Sequence, residues 1–426
     1  MSGRVRHAVT AIAAVAAAGF LPVGAVESAS AVVSPAALSS ATARGTLTDF
    51  GFDAHSYGSR TTGNDTAQSG ATAASHFPCT RYVPRTTENF LATAGDGDGV
   101  ALSGVRTRNY SHRADGAVSI FSTVRIDSGS MAGGQIAFEN LRGVGRSYHR
   151  ASGFHALTVS RIGTLTIGGV PVPLPNDGEE REILIPGSGT LYLNYARTSE
   201  SRFHAGATVN VLRFVANDGT VERVGKATSR IDGQVEGGVF RGSAWASDAR
   251  TGGLAALGRA AVRPIPCAGT RGKILESGNA NATVTEVGVF GARRSFAYGI
   301  QRDKSATGYT RSEVDNASFG AGVLEFRNIK GRANVTRQAD GDLLRNAKGT
   351  GVGTIRVNGQ QVPTPPAGEA QDVAGLGSYT VRVVNKTRTG IDVTGIIVRI
   401  ENGTPADRSD DTVVNLARAT LGIKRG

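Results

Sequence analysis

Three features of the sequence predict an all-β fold, with two tandem homologous antiparallel domains, each sandwich-like or barrel-like, after a cleaved export signal. Glycine fills 58 of 426 positions, about twice the usual ~7%, and helix interiors tolerate it poorly. Apolar side chains alternate with period two in one segment after another, the spacing of half-buried strands. The chain also resembles itself: from Gly45 to Gly143 the first half superimposes on the second without a gap at a shift of 188, as in Cys79 on Cys267 (267 − 79 = 188), and small indels follow.

From the beginning of the chain, Arg4 and Arg6 form a basic region, residues 8–21 are apolar, and Ala29-Ser30-Ala31 offers a small-x-small cleavage site, with Val23-Gly24-Ala25 as a second. This is the pattern of a secretory signal peptide over residues 1–31. Its apolar stretch falls short of the roughly 20 residues that a spanning helix needs. No later stretch is long and apolar enough either, so no transmembrane anchor is expected after cleavage. A linker over 32–43 leads to a first β-domain over 44–231 and a second over 232–426.

The internal match pairs Phe52 with Phe240, Arg106 with Arg294, Tyr110 with Tyr298, Asp127 with Asp315 and Gly143 with Gly331. Conservative pairs such as Arg142 with Lys330 fill between them. A period of that length is domain-sized, too long for one unit of a solenoid. Within the first repeat, Val118, Ile120, Val124 and Ile126 share one strand face. Gly168-Gly169 reads as a hairpin turn before an edge strand carrying Pro171, and Asn358-Gly359 marks the same hairpin in the second repeat. Residues 254–259 are a candidate short helix, and 59–76, rich in Thr, Gly, Ser and Ala, read as a long loop.

Strand, Asn-Gly, strand units such as Ile397-Val398-Arg399-Ile400-Glu401-Asn402-Gly403-Thr404 recur, and an alternating strand, Val414-Asn415-Leu416-Ala417-Arg418-Ala419, lies near the end. Together with the Ala-rich signal, these resemble the choice-of-anchor P family of actinobacterial exported proteins. The resemblance implies an extracellular β-protein with no assigned catalytic residue. That family is named for varied C-terminal anchors, whereas Leu421-Gly422-Ile423-Lys424-Arg425-Gly426 carries neither a hydrophobic tail nor a sorting motif.

The formal charge is +12, from 47 Lys and Arg against 35 Asp and Glu. The cations are scattered along the chain, with no run of four or more. A nucleic-acid binder concentrates charge in a patch or stripe, so no specific nucleic-acid partner is expected. Diffuse charge suits weak association with anionic cell-wall polymers or glycans.

Cys79 and Cys267 occupy equivalent positions, each after a proline. An even pair in an exported chain points to a disulfide, which requires a pseudo-two-fold axis passing near both residues. The alternative is two buried thiols, each in its own core. His55, His76, His112, His149, His155 and His204 all fall in the first repeat, without zinc-ligand spacing. Asp96 with Asp98, and Asp407 with Asp410 and Asp411, are weak calcium candidates lacking the ligand register of an EF-hand. Thr72-Ala73-Ala74-Ser75-His76 and Asp127-Ser128-Gly129 are similar in outline to trypsin-like histidine and nucleophile segments. They fail in detail, with only 52 residues between His76 and Ser128 (128 − 76 = 52). Tyr110 and Tyr298 read as core or strand-face residues. No catalytic residue and no cofactor are assigned. The expected function is a non-enzymatic, structural or adhesive role in the bacterial cell envelope or outside the cell. The alternative is a secreted hydrolase or glycan-binding protein with its site in the first repeat.

Overall fold

A computed structural model describes residues 45–63, 71–95, 99–251, 254–279, 282–284, 287–402 and 409–425. The candidate signal peptide, the linker, Asp96, Asp98 and Asp407 lie outside them. The fold is all-β and antiparallel, built from four open sheets rather than a closed barrel, and the described residues contain no α-helix.

In the first half, β1 (Thr46–Thr62) and β2 (Ser75–Val83) open sheet I. Sheet II follows with β3 (Arg85–Gly95), β4 (Ala101–Ala114), β5 (Ala117–Met131), β6 (Ile136–Arg150), β7 (Gly153–Arg161), β8 (Thr164–Ile167) and β9 (Val170–Pro171). The chain then returns to sheet I through β10 (Arg181–Ile185), β11 (Gly189–Ser201), β12 (His204–Ala216) and β13 (Val221–Asp232).

The second half runs likewise. Sheet III opens with β14 (Val239–Thr251), β15 (Leu254–Ala260) and β16 (Arg263–Pro264). Sheet IV holds β17 (Leu275–Asn279), β18 (Ala282–Val284), β19 (Gly288–Phe290), β20 (Arg293–Arg302), β21 (Ser305–Phe319), β22 (Leu324–Arg337), β23 (Leu343–Asn346), β24 (Thr354–Val357) and β25 (Gln360–Val362). Sheet III is completed by β26 (Ala370–Val373), β27 (Gly377–Thr387), β28 (Gly390–Ile400) and β29 (Thr412–Lys424). The long strands stand in the order β10-β11-β12-β13-β1 in sheet I and β26-β27-β28-β29-β14 in sheet III.

Alternation decides which face is buried. Val105, Val124, Ile126 and Phe138 of sheet II meet Leu191, Leu193, Val209 and Val224 of sheet I in one apolar core. Val314, Phe326 and Ile329 of sheet IV meet Val381, Ile396 and Leu416 of sheet III in the counterpart. A polar seam crosses the first sandwich, where Ser56 and Ser122 donate to Asn109 Oδ1 at 3.2 and 2.7 Å, and Asn109 Nδ2 donates to the Ser75 carbonyl at 2.9 Å.

Turn chemistry closes the hairpins as the sequence predicts. Gly168-Gly169 and Asn358-Gly359 hold positive φ, at 57° and 80° and at 50° and 75°, the conformation of tight hairpin turns. Asp115 and Asp303 (φ 52° and 49°) turn the hairpins β4–β5 and β20–β21. Two expectations are corrected. Residues 254–259 form strand β15, whose backbone pairs with β14 from Thr251↔Leu254 to Ser247↔Ala260; sheet pairing outweighs the modest helix propensity of the segment. The long loop expected over 59–76 is shorter, because β1 continues to Thr62 and β2 begins at Ser75.

Between the halves, Cys79 and Cys267 lie at disulfide distance, S–S 2.07 Å and Cα–Cα 5.4 Å, enclosed by Val235, Val239 and Ala268. Gly51 belongs there: a Cβ at that position would come within 2.6 Å of Cys267 Cβ. Arg241 Nε donates to the Cys79 carbonyl, and Arg81 Nη1 donates to the Arg425 carbonyl at 3.3 Å.

Candidate anion-binding face

The outward face of sheet II gathers cations that are far apart in the sequence. Arg106 of β4 pairs with Arg125 of β5, Arg125 with Arg142 of β6, and Arg142 with Arg161 of β7. All four side chains are exposed, so four arginines form one row perpendicular to the strands. Like charges directly opposite one another destabilise a sheet. Arg161 is paired with Asp177, but among the described residues no carboxylate lies within 4.0 Å of Arg106, Arg125 or Arg142.

Beside this row, Arg106 packs over Phe90 at 5.1 Å and Arg108 over Tyr110 at 5.0 Å. Tyr110 stacks on Phe121 with centroids 4.7 Å apart, and Arg146 reaches Phe121 at 4.9 Å and Tyr148 at 4.4 Å. Arg106, Arg125 and Arg142 of the row, with Phe90 and Tyr110, border a groove of about 750 Å³ whose lining includes a single acid, Glu88, facing Arg108 across β3 and β4.

The same place in sheet IV is neutralised from within. There Arg294 pairs with Glu313, and Glu313 with Lys330. The Glu313 carboxylate, with 12% of its side chain exposed, lies 3.7 Å from Arg294, 3.4 Å from Arg311 and 3.8 Å from Lys330. Asp315 approaches Arg294 to 3.8 Å. Arg125 stands where Glu313 would complete this network. The first half thus presents cations without the acid that the second half supplies, an arrangement suited to an anion from outside.

No protein family matches this chain, and no curated protein does.

The other candidate residues are dispersed. His55 and His76 face each other across β1 and β2, and His76 Nε2 lies 3.4 Å from Asp53. Burial, with Lys226 next in effect, lowers the His55 pKa to about 4. Burial beside Arg223 and Arg60 lowers that of Lys226 to about 8. His112, His149 and His155 belong to strands of sheet II, and His204 begins β12. His76 belongs to sheet I and Ser128 to sheet II; among the described residues His76 is engaged by Asp53. Asp53, Cys79 and Cys267 place ligand-type atoms within 4.8 Å of one another, but bonded sulfurs hold no metal. Asp411 is engaged by Arg399 at 3.0 Å. Tyr110 and Tyr298 are strand-face residues, half-buried and stacked on Phe121 and Tyr309. No helix among the described residues is long and apolar enough to cross a membrane.

Sequence reading missed the arginine row because its members are 19, 17 and 19 residues apart (125 − 106, 142 − 125, 161 − 142). The internal alignment held the signal: it sets Arg125 against Glu313 (313 − 125 = 188).

Proposed function

We propose that this chain is an exported, non-enzymatic β-protein of a bacterial cell envelope that adheres to anionic wall polymers or glycans through the arginine row of its first half. The observation that carries the reading is the substitution of Arg125 for the acid that neutralises the matching row around Glu313. Export is supported by the signal-like residues 1–31 and by two cysteines at disulfide distance, a state maintained in oxidising compartments. The glycine-rich strand and turn units support placing it with exported proteins of the choice-of-anchor P kind.

The chain is also read as a tandem duplication. Its support is the alignment, the like order of long strands, and positive φ at Ala73, Asp115, Asn140 and Asn194 and again at Ala261, Asp303, Asn328 and Arg382. Equivalent residues meeting at 5.4 Å suit a pseudo-two-fold relation between the halves.

Fractionation of the producing cells, followed by salt elution of the isolated envelope, tests the proposal. The chain is expected in the envelope or medium, without residues 1–31, and is released from the wall as salt rises. Retention in the cytoplasm, or turnover of ester, peptide or glycoside substrates abolished by one point substitution, would overturn it.

A further inference from the structure

Strand spacing sets the spacing of the charges. Neighbouring strands lie about 4.8 Å apart, so Arg106, Arg125, Arg142 and Arg161, one on each of four adjacent strands, form a comb with teeth at that interval. Most of the rings beside the comb have a face already taken. Tyr110 and Phe121 lie against each other at an interplanar angle of 7°, Arg108 covers Tyr110, and Arg146 sits against Phe121 and Tyr148. Arg106 packs over Phe90. Phe90 holds one guanidinium of the comb, that of Arg106, in place before any ligand arrives, which reduces the freedom lost on binding.

Resting on the anion-binding reading above, we propose that this face takes a linear acidic polysaccharide laid across the strands, with its carboxylates seated on the comb. The planar guanidinium fork matches a carboxylate in two parallel hydrogen bonds. A pyranose residue is about as long as one strand spacing. A polyuronate therefore brings one carboxylate to each of Arg106, Arg125 and Arg142, or one to each pair where alternate residues turn away, while Arg161 keeps Asp177 as its partner. A single nucleic-acid strand draws much of its affinity from stacking on open aromatic platforms, and here Tyr110 and Phe121 cover each other beneath Arg108 and Arg146, which leaves Phe90, 54% exposed, as the one open ring of this group. Inorganic polyphosphate carries its charges more densely than the comb, so only some of them meet a tooth.

Titration calorimetry of the purified full chain against polygalacturonate, polyphosphate, single-stranded DNA and an uncharged glucan, at one ionic strength, tests this assignment. Polygalacturonate is expected to bind at least about tenfold tighter than the other polyanions, the scale of one charge-assisted hydrogen bond, and the glucan not at all. Arg125→Gln and Arg142→Gln, both exposed and away from the core, should remove that preference while leaving the fold intact by circular dichroism. Phe90→Leu should weaken polygalacturonate binding by loosening Arg106. Equal affinity for all polyanions, or tighter binding of DNA, overturns the polysaccharide assignment and leaves the anion-binding reading standing. Absence of binding to every polyanion overturns both.

Discussion

Arg125 is the residue on which the two halves differ most in consequence. Placing glutamate there recreates across β4, β5 and β6 the charge order that Glu313 provides between Arg294 and Lys330. Arg125→Glu is therefore expected to raise the thermal midpoint slightly, at about 0.5 kcal/mol for each new surface pair, while weakening polyanion binding; calorimetry of the unfolding transition checks the first half of this statement. A gain in stability coupled to a loss of binding is the mark of a site that is strained without its ligand. At the same scale, His55 keeps its proton less readily in the folded chain, with its pKa lowered from 6.5 to about 4 by burial. Between those values the unfolded chain binds more protons, so stability rises with pH through the window and is lost as pH falls from 6.5 towards 4. His55→Gln should flatten that part of the stability curve, as read from urea midpoints at a series of pH values. Residue by residue, the sequence revealed Cys79, Cys267 and the turn positions, because their chemistry is local. The arginine row was hidden because only strand register brings together residues 17–19 apart.

Strands and turns were the most legible elements. Asn358-Gly359 and Gly168-Gly169 specify hairpins through positive φ, and that requirement is written in the residues themselves. The segment 254–259 was misread as helical because its alanine and leucine carry no strand signal of their own, and pairing with β14 is a tertiary event. Sheet packing adds a requirement that sequence periodicity does not state. Gly331 of β22 lies against β29, where a Cβ would sit 1.7 Å from the Ala417 carbonyl oxygen. Gly331→Ala is expected to push sheets III and IV apart and to cost about 1–3 kcal/mol or more, visible as a lower denaturant midpoint. Gly359→Ala strains a turn at φ 75°, with nothing within 4 Å of the added methyl. It should cost only about 1 kcal/mol, which separates a packing glycine from a turn glycine.

For the whole molecule, the Cys79–Cys267 bridge closes a separation of 188 residues between halves that share no strand pairing among the described residues. Replacing both cysteines with serine is expected to lower stability by about 2–4 kcal/mol, while far-ultraviolet circular dichroism retains the β signature, because each half has its own apolar clusters. Fold class could be foreseen from glycine content and alternation; the arginine row could not, since it depends on strand register and on Arg125 standing opposite Glu313 in the internal alignment. The net charge of +12 offers a competing source of affinity, spread over the entire surface. Retention on immobilised polygalacturonate under a salt gradient separates the two, using Arg125→Glu in the first half and the charge-matched Lys304→Glu at an exposed turn of the second. The localised face predicts that Arg125→Glu elutes at clearly lower salt and that Lys304→Glu elutes with the unmodified chain. Equal shifts for the two variants would contradict it and assign the affinity to diffuse charge.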